Sequence, residues 1–248
     1  MHRWPILYYM SCGFGTVMRL VALKYRFKVA FFLSRKLKRL IKLTTAYKEQ
    51  IDYRLDDIDS ISLAFFLSAM TKAGTLFEPV YTVRGIEKLR SVLSANAGTL
   101  MVGVHGQLHG VLVRHLVDSG YTPIVIHAEE KYPVAGTKKK IRAIVPDRHM
   151  LLGAQSILKA GHLLMALIDL KKELKGRSIE MQTPAGPVYI ATPIFRVASY
   201  CNANLLFFRI STMKNEIVIS IDSPSSANEA TDESYALEFI NFLNTNQN

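Results

Sequence analysis

Apolar residues along this chain fall into two kinds of run: short, nearly continuous blocks, and longer stretches in which they return every third or fourth position. The short blocks are residues 100–104, 123–127, 141–145, 162–168, 205–210 and 216–221. Blocks of that length, bounded by turn residues, read as strands buried on both faces. The longer stretches predict helices. One runs through Ile61, Leu63, Phe65, Phe66 and Met70 to Gly74, with Asp59 as its cap, and a second through Ile86, Leu89, Val92 and Leu93 to a stop near Gly98. Others follow His105, cover 150–160 before Gly161, cover 191–203 with Pro193 in the first turn where no amide hydrogen is needed, and close the chain at 233–243.

Strands alternating with helices of ten or more residues need crossover connections. The fold class expected is therefore α/β, with a mostly parallel central sheet flanked by helices. The last two blocks, joined through 212–215, predict a short antiparallel edge on that sheet. Residues 177–190 read as a Gly/Pro-containing loop with a short hairpin, 44–59 as a polar link, and 223–232 as a polar loop before the closing helix and a tail at 244–248.

Within this pattern the block 100–104 stands out, because it delivers His105 into a Gly-containing turn. Loops at the carboxyl ends of parallel strands are where open α/β sheets bind ligands, so a histidine there is placed for chemistry. The bland alternative is a histidine that caps its strand through one hydrogen bond.

Charge changes the picture for the first fifth of the chain only. The net charge is +11, yet residues 1–48 hold eleven Lys and Arg with no Asp or Glu, and the remaining 200 residues are balanced. Aromatic residues Trp4, Tyr8, Tyr9, Tyr25, Phe27, Phe31 and Phe32 interleave with those cations. The reading is a helical, basic, membrane-associating extension at 1–48 ahead of an α/β domain at 49–248, lying on or dipping into an anionic lipid surface. A nucleic-acid patch is the rival, disfavoured because the apolar residues form long stretches rather than isolated stacking platforms. Residues 4–23 approach spanning length, but Gly13, Gly15 and Arg19 weaken a span and would require Arg19 to snorkel; no small-residue cleavage site marks a signal peptide. Cys12 and Cys201 sit in dissimilar settings and indicate neither a disulfide nor a metal site.

His105 and His109 are four residues apart, as in a zinc helix with His127 or His162 as third ligand. The glutamate of that motif is absent, and no metal is expected. Cys201 falls in a predicted buried helix, where a structural thiol is the ordinary role. The segment 11–15, SCGFG, is too loose to cradle a nucleotide.

In the order of its segments the chain resembles the lysophospholipid acyltransferase superfamily, particularly the lipid A biosynthesis branch. The resemblance rests on VRGIEKLRSVL (83–93), GTLMVGVHGQLHG (98–110), ILKAGHLLMALIDL (157–170) and TPAGPVYIATPIFRVASYCNANLLFF (183–208), and on their spacing. It implies an enzyme moving a fatty acyl group to a hydroxyl or amine of a lipid-like acceptor. Acyl carrier protein or a coenzyme A thioester would be donor, and no further cofactor is needed. It also implies a place on the cytoplasmic face of the inner membrane, held peripherally or by a single anchor.

The family motif is a histidine followed, after four residues, by Asp or Glu. The carboxylate orients the imidazole, which takes the proton of the attacking hydroxyl. Here His105 matches the histidine and Gly110 stands where the acid belongs, with no Asp or Glu between 106 and 117. Three readings compete. Asp169, at the end of a neighbouring predicted strand, replaces the acid; His109 shares the role; or the fold persists without the chemistry, as a lipid-binding or partner-regulating protein. The resemblance further makes Arg142 and Arg177 candidates for a phosphate-bearing substrate, beside Arg148 and Arg196. It puts Thr183 and Gly186 of TPAGP near the donor or acceptor headgroup, and backbone amides after His105 at the oxyanion.

Overall fold

The computed structural model describes residues 13–43, 58–93, 97–105, 108–170, 172–183, 186–213, 216–224 and 231–245. The first part of the candidate membrane segment, Cys12, the polar link at 44–57 and the last three residues lie outside them. In chain order the helices are α1 (Leu23–Leu43), α2 (Ile58–Lys72), α3 (Ile86–Leu93), α4 (His109–Asp118), α5 (Met150–Lys159), α6 (Pro193–Tyr200) and α7 (Asp232–Thr245). The strands are β1 (Tyr81–Arg84), β2 (Thr99–Gly103), β3 (Ile124–Ile126), β4 (Lys131–Pro133), β5 (Lys140–Ile144), β6 (Leu163–Leu167), β7 (Asp169–Leu170), β8 (Ser178–Met181), β9 (Val188–Ala191), β10 (Asn204–Met213) and β11 (Glu216–Asp222).

Eight of these strands form one sheet in the order β1-β11-β10-β2-β6-β3-β5-β4. Its centre, β10-β2-β6-β3-β5, is parallel throughout, and antiparallel pairs occur only at β10-β11 and β4-β5. The fold is thus α/β with a large, mostly parallel sheet flanked by helices. A small antiparallel sheet, β7-β9-β8, hangs from the end of β6.

The continuous apolar blocks do what two-sided burial requires. Every residue of β2 is buried. Leu100 and Val102 join one hydrophobic cluster while Met101 joins the other, and β6 divides the same way, Leu164 and Ala166 against Leu163 and Met165. This is the two-residue alternation of a strand expressed in packing. The Met101 cluster is built with α1, α2, α3 and α4; the Leu100 and Val102 cluster with α5, α6, α7 and the small sheet. Each large side chain fully buried here contributes about 1.5–3 kcal/mol.

The basic helix α1 is part of the Met101 cluster. Phe27, Ala30 and Phe31 are buried against Leu63, Leu67 and Met70 of α2. Gly15 allows the segment before α1 to approach closely, since a Cβ there would lie 2.5 Å from the Ala69 carbonyl oxygen. Arg26 binds the chain on both sides, its Nε donating to the Val21 carbonyl (2.8 Å) and its Nη1 to the Leu76 carbonyl (2.9 Å). Arg19 donates to the Ala73 carbonyl rather than extending toward a headgroup region. Composition alone divides the chain at 48, but residues on both sides of that point share one core. Among the described residues no helix is long and apolar enough to cross a membrane.

Other departures from expectation share a cause. The β10-β11 hairpin is not the edge of the sheet, because β1 pairs parallel with β11 outside it. β1 was hidden by its length and its alternate exposure. β4 was unforeseen for the same reason, and β9 claims Ala191, so α6 starts at Pro193. Marginal strands gain their pairing from neighbours and carry little signal of their own.

Candidate active site

Because β2 and β6 are adjacent and parallel, their carboxyl ends emerge together. The register pairs Gly103 with Leu167, and the Ile168 N–H still donates to the Gly103 carbonyl (3.0 Å) one step beyond the strands. Two residues past each strand lie His105 and Asp169, carried forward in the same register. Asp169 Oδ1 stands 2.8 Å from His105 Nδ1 and also accepts the His105 backbone N–H at 2.5 Å. The carboxylate is largely enclosed, its side chain 11 % exposed against 44 % for the imidazole. With Nδ1 facing a carboxylate, the neutral ring carries its proton there and leaves Nε2 as an acceptor, which is the tautomer a general base needs.

His105 lines a cavity of about 870 Å³ roofed by Ala64, Leu67, Ser68 and Thr71 of α2 and floored by the ends of β3 and β6. Most of its wall is apolar, and besides His105 its ring-bearing polar groups are His109, His127 and Tyr132. His109 opens α4, and its ring centre lies 5.6 Å from that of Tyr132, while His127 meets the same ring edge-on at 5.0 Å. Burial pushes the Tyr132 phenol above its ordinary range, so its hydroxyl remains protonated.

Gly110 also lines the cavity, and the structure gives its glycine a local meaning. A Cβ at 110 would lie 3.1 Å from Tyr132 Oη and 3.5 Å from Ala135 Cβ. A side chain at 110 would thus be bordered by the phenol, and the carboxylate that meets His105 is that of Asp169.

Of the residues singled out from sequence, His105, Asp169, His109 and Arg177 come together around this cavity. Arg142, Thr183 and Gly186 do not line it. Arg142 is exposed on β5 opposite Lys131. Thr183 Oγ1 donates to the Gly186 carbonyl (2.6 Å) and the Gly186 N–H donates back to the Thr183 carbonyl (3.0 Å), closing a turn. Arg148 Nε donates to His149 on the surface, and Arg196 pairs with Asp232. The amides expected to support an oxyanion, at 106 and 107, lie outside the described residues, as do Pro184 and Ala185.

His162 precedes β6 and so sits at the amino end of the sheet, opposite His105. Among the described residues no group of three His, Cys, Asp or Glu is arranged to hold a metal ion. Cys201 ends α6 half-buried, its Sγ 3.7 Å from the Gln155 carbonyl oxygen. Sequence reasoning overlooked Tyr132 and weighed His127 only as a metal ligand. The signal for His127 was available, since it ends a parallel strand at the same sheet edge as His105; Tyr132 arrives on a strand too short to foresee.

No protein-family model matches the chain, and no curated protein matches it either.

Proposed function

We propose that this protein is an acyltransferase that works at a lipid surface, with His105 as general base and Asp169 as the acid that orients it. The single observation carrying the reading is the 2.8 Å contact between His105 Nδ1 and Asp169 Oδ1 beside a large apolar cavity. In the proposed step the acceptor O–H or N–H gives its proton to His105 Nε2 as its oxygen or nitrogen attacks the acyl thioester carbonyl. The tetrahedral adduct then collapses, the C–S bond breaks, and the departing sulfur takes the proton back from His105. The apolar wall suits a fatty acyl chain, and excluding water there disfavours hydrolysis of the thioester.

Docking to lipid is supported by the outer side of α1 and the turn before it. Val17, Leu20, Tyr25 and Phe32 are exposed, Leu20 to 88 %. Lys24 lies over the Tyr25 ring and Lys36 over the Phe32 ring, 5.0 and 5.7 Å from the ring centres. Aromatic and aliphatic tips among lysines suit the boundary between acyl chains and anionic headgroups.

Gly110 favours the rival reading, a lipid-binding protein that has lost catalysis, because it lacks the motif acid. The Asp169 contact answers that objection by supplying a carboxylate to the same ring. The test is acyl transfer from long-chain acyl-coenzyme A and acyl carrier protein to lysophospholipid and lipid A precursor acceptors, comparing the natural protein with His105→Ala. Transfer abolished by the substitution supports the reading; no transfer, or equal transfer in both, ends it.

A further inference from the structure

The wall of the His105 chamber is mostly apolar, so each polar group in it needs an account. Several have one. His105 Nδ1 faces Asp169, and the Thr71 hydroxyl donates to the Leu67 carbonyl (2.9 Å). Ser68 and Arg177 are exposed. Tyr132 and His127 differ from all of these.

The Tyr132 hydroxyl makes no hydrogen bond to a described residue, although its ring packs against those of both His109 and His127. Burial keeps the phenol protonated, so Oη is a donor. Gly110 leaves that hydroxyl uncovered, since even a Cβ there would stand 3.1 Å from it. His127 is fixed by its other nitrogen. The Glu129 N–H donates to Nδ1 (3.1 Å), so the neutral ring carries its proton on Nε2, and among the described residues that N–H has no hydrogen-bond acceptor. The two rings meet at 81° with centres 5.0 Å apart, which places two donors as neighbours in one cavity wall.

A plain hydrocarbon chain filling this cavity would strip water from both donors and offer nothing in return. Donors left unpaired in this way are what make a polar site reject an apolar analogue. An oxygen on the chain reverses the balance. A carbonyl oxygen suits the pair best, because its two lone pairs accept from an N–H and an O–H together.

We infer that Tyr132 and His127 form a carbonyl seat in this chamber, selecting lipid chains that bear a ketone or ester oxygen along their length over plain ones. This rests on the reading above only in seating a lipid chain in the cavity, and it does not need the transfer step.

The test titrates the natural full chain with stearate and with a set of oxostearates that differ only in the position of the ketone, each competing with a fluorescent fatty acid. At least one oxostearate is expected to bind about tenfold to a hundredfold more tightly than stearate, the range for pairing one or two otherwise stranded donors. Tyr132→Phe removes one oxygen and keeps the ring contacts. It should abolish most of the preference while leaving stearate affinity and the melting temperature unchanged or raised. His127→Phe should give a smaller loss in the same direction.

Equal affinity for stearate and every oxostearate overturns the inference, as does a ketone preference that survives in both variants. A Tyr132→Phe protein that melts earlier yet keeps the preference would show a purely structural hydroxyl. If neither kind of probe competes, the seat and the lipid reading fall together; stearate bound without any preference sinks the seat alone. A ketone preference in a protein that transfers no acyl group leaves the seat standing and ends the catalytic reading.

Discussion

Asp169 Oδ1 receives two hydrogen bonds from one residue, the backbone N–H and the ring Nδ1 of His105. One oxygen atom thereby fixes both where the histidine begins and which way its ring points. Asp169→Asn keeps an acceptor for the backbone but lets the amide's own N–H face Nδ1, favouring the tautomer that carries its proton on Nε2. On the acyl-transfer reading kcat is expected to fall by about 10⁴ with KM nearly unchanged, the penalty seen when a triad carboxylate becomes an amide. Steady-state kinetics with a long-chain acyl donor checks it; a fall of less than tenfold would show that Asp169 does not orient the base.

Placing an acid at position 110 is predicted to harm rather than help. In Gly110→Asp the new Cβ sits 3.1 Å from Tyr132 Oη, in a space already bounded by Ala135. The strain of overfilling, about 1–3 kcal/mol, outweighs the ~1 kcal/mol that leaving glycine returns to a helix. Pairing it with Tyr132→Phe removes the crowding hydroxyl and should recover most of the loss. Urea unfolding of the two single variants and the double variant measures the coupling.

Acid should destabilise the fold through His115. Its Nδ1 meets the Tyr81 hydroxyl at 3.2 Å, its Nε2 is buried without a partner, and burial lowers its pKa below the ordinary 6.5, with Arg90 adding to the shift and Asp118 opposing it. The unfolded chain therefore binds a proton before the folded one does. Stability is complete above pH 6.5 and declines as pH falls through the interval below it. His115→Gln should flatten that part of the pH profile, as read from unfolding midpoints between pH 7 and 5.

Two phenylalanines of α1 should behave oppositely. Phe27 is 1 % exposed and Phe32 is 59 % exposed. Phe27→Ala is expected to cost about 3–5 kcal/mol of folding stability, as cavity-forming aromatic truncations do. Phe32→Glu should leave the melting temperature almost unchanged while reducing co-sedimentation with anionic phospholipid vesicles, more so when combined with Leu20→Glu. Unaltered vesicle binding in the double variant would argue that lipid meets another face.

Much of this was legible in the chain. The parallel centre announced itself because strands buried on both faces must be continuously apolar. The pair His105 and Asp169 followed from one assumption, that two predicted strands were neighbours. Neighbourhood itself was not written in either strand. The stripe Phe27, Ala30, Phe31 and Ser34 is spaced for a buried helical face, yet the cations around it drew attention to lipid and away from the core it joins. Tyr132 was hidden because β4 has three residues and is defined by its partner β5. What the sequence withheld was pairing of short elements, which depends on tertiary context more than on local composition.

The alternation of β2 has a bearing on His105 that reaches past the strand itself. Leu100 and Val102 are gripped by the layer containing α5, α6 and α7, and Met101 by the layer containing α1, α2 and α4. Sliding β2 by one residue against β6 would exchange these grips wholesale and turn the histidine to the wrong side. The aim of one imidazole is therefore under joint custody of both layers. A defect in either, away from the cavity, bears on where the imidazole stands through the five residues of β2.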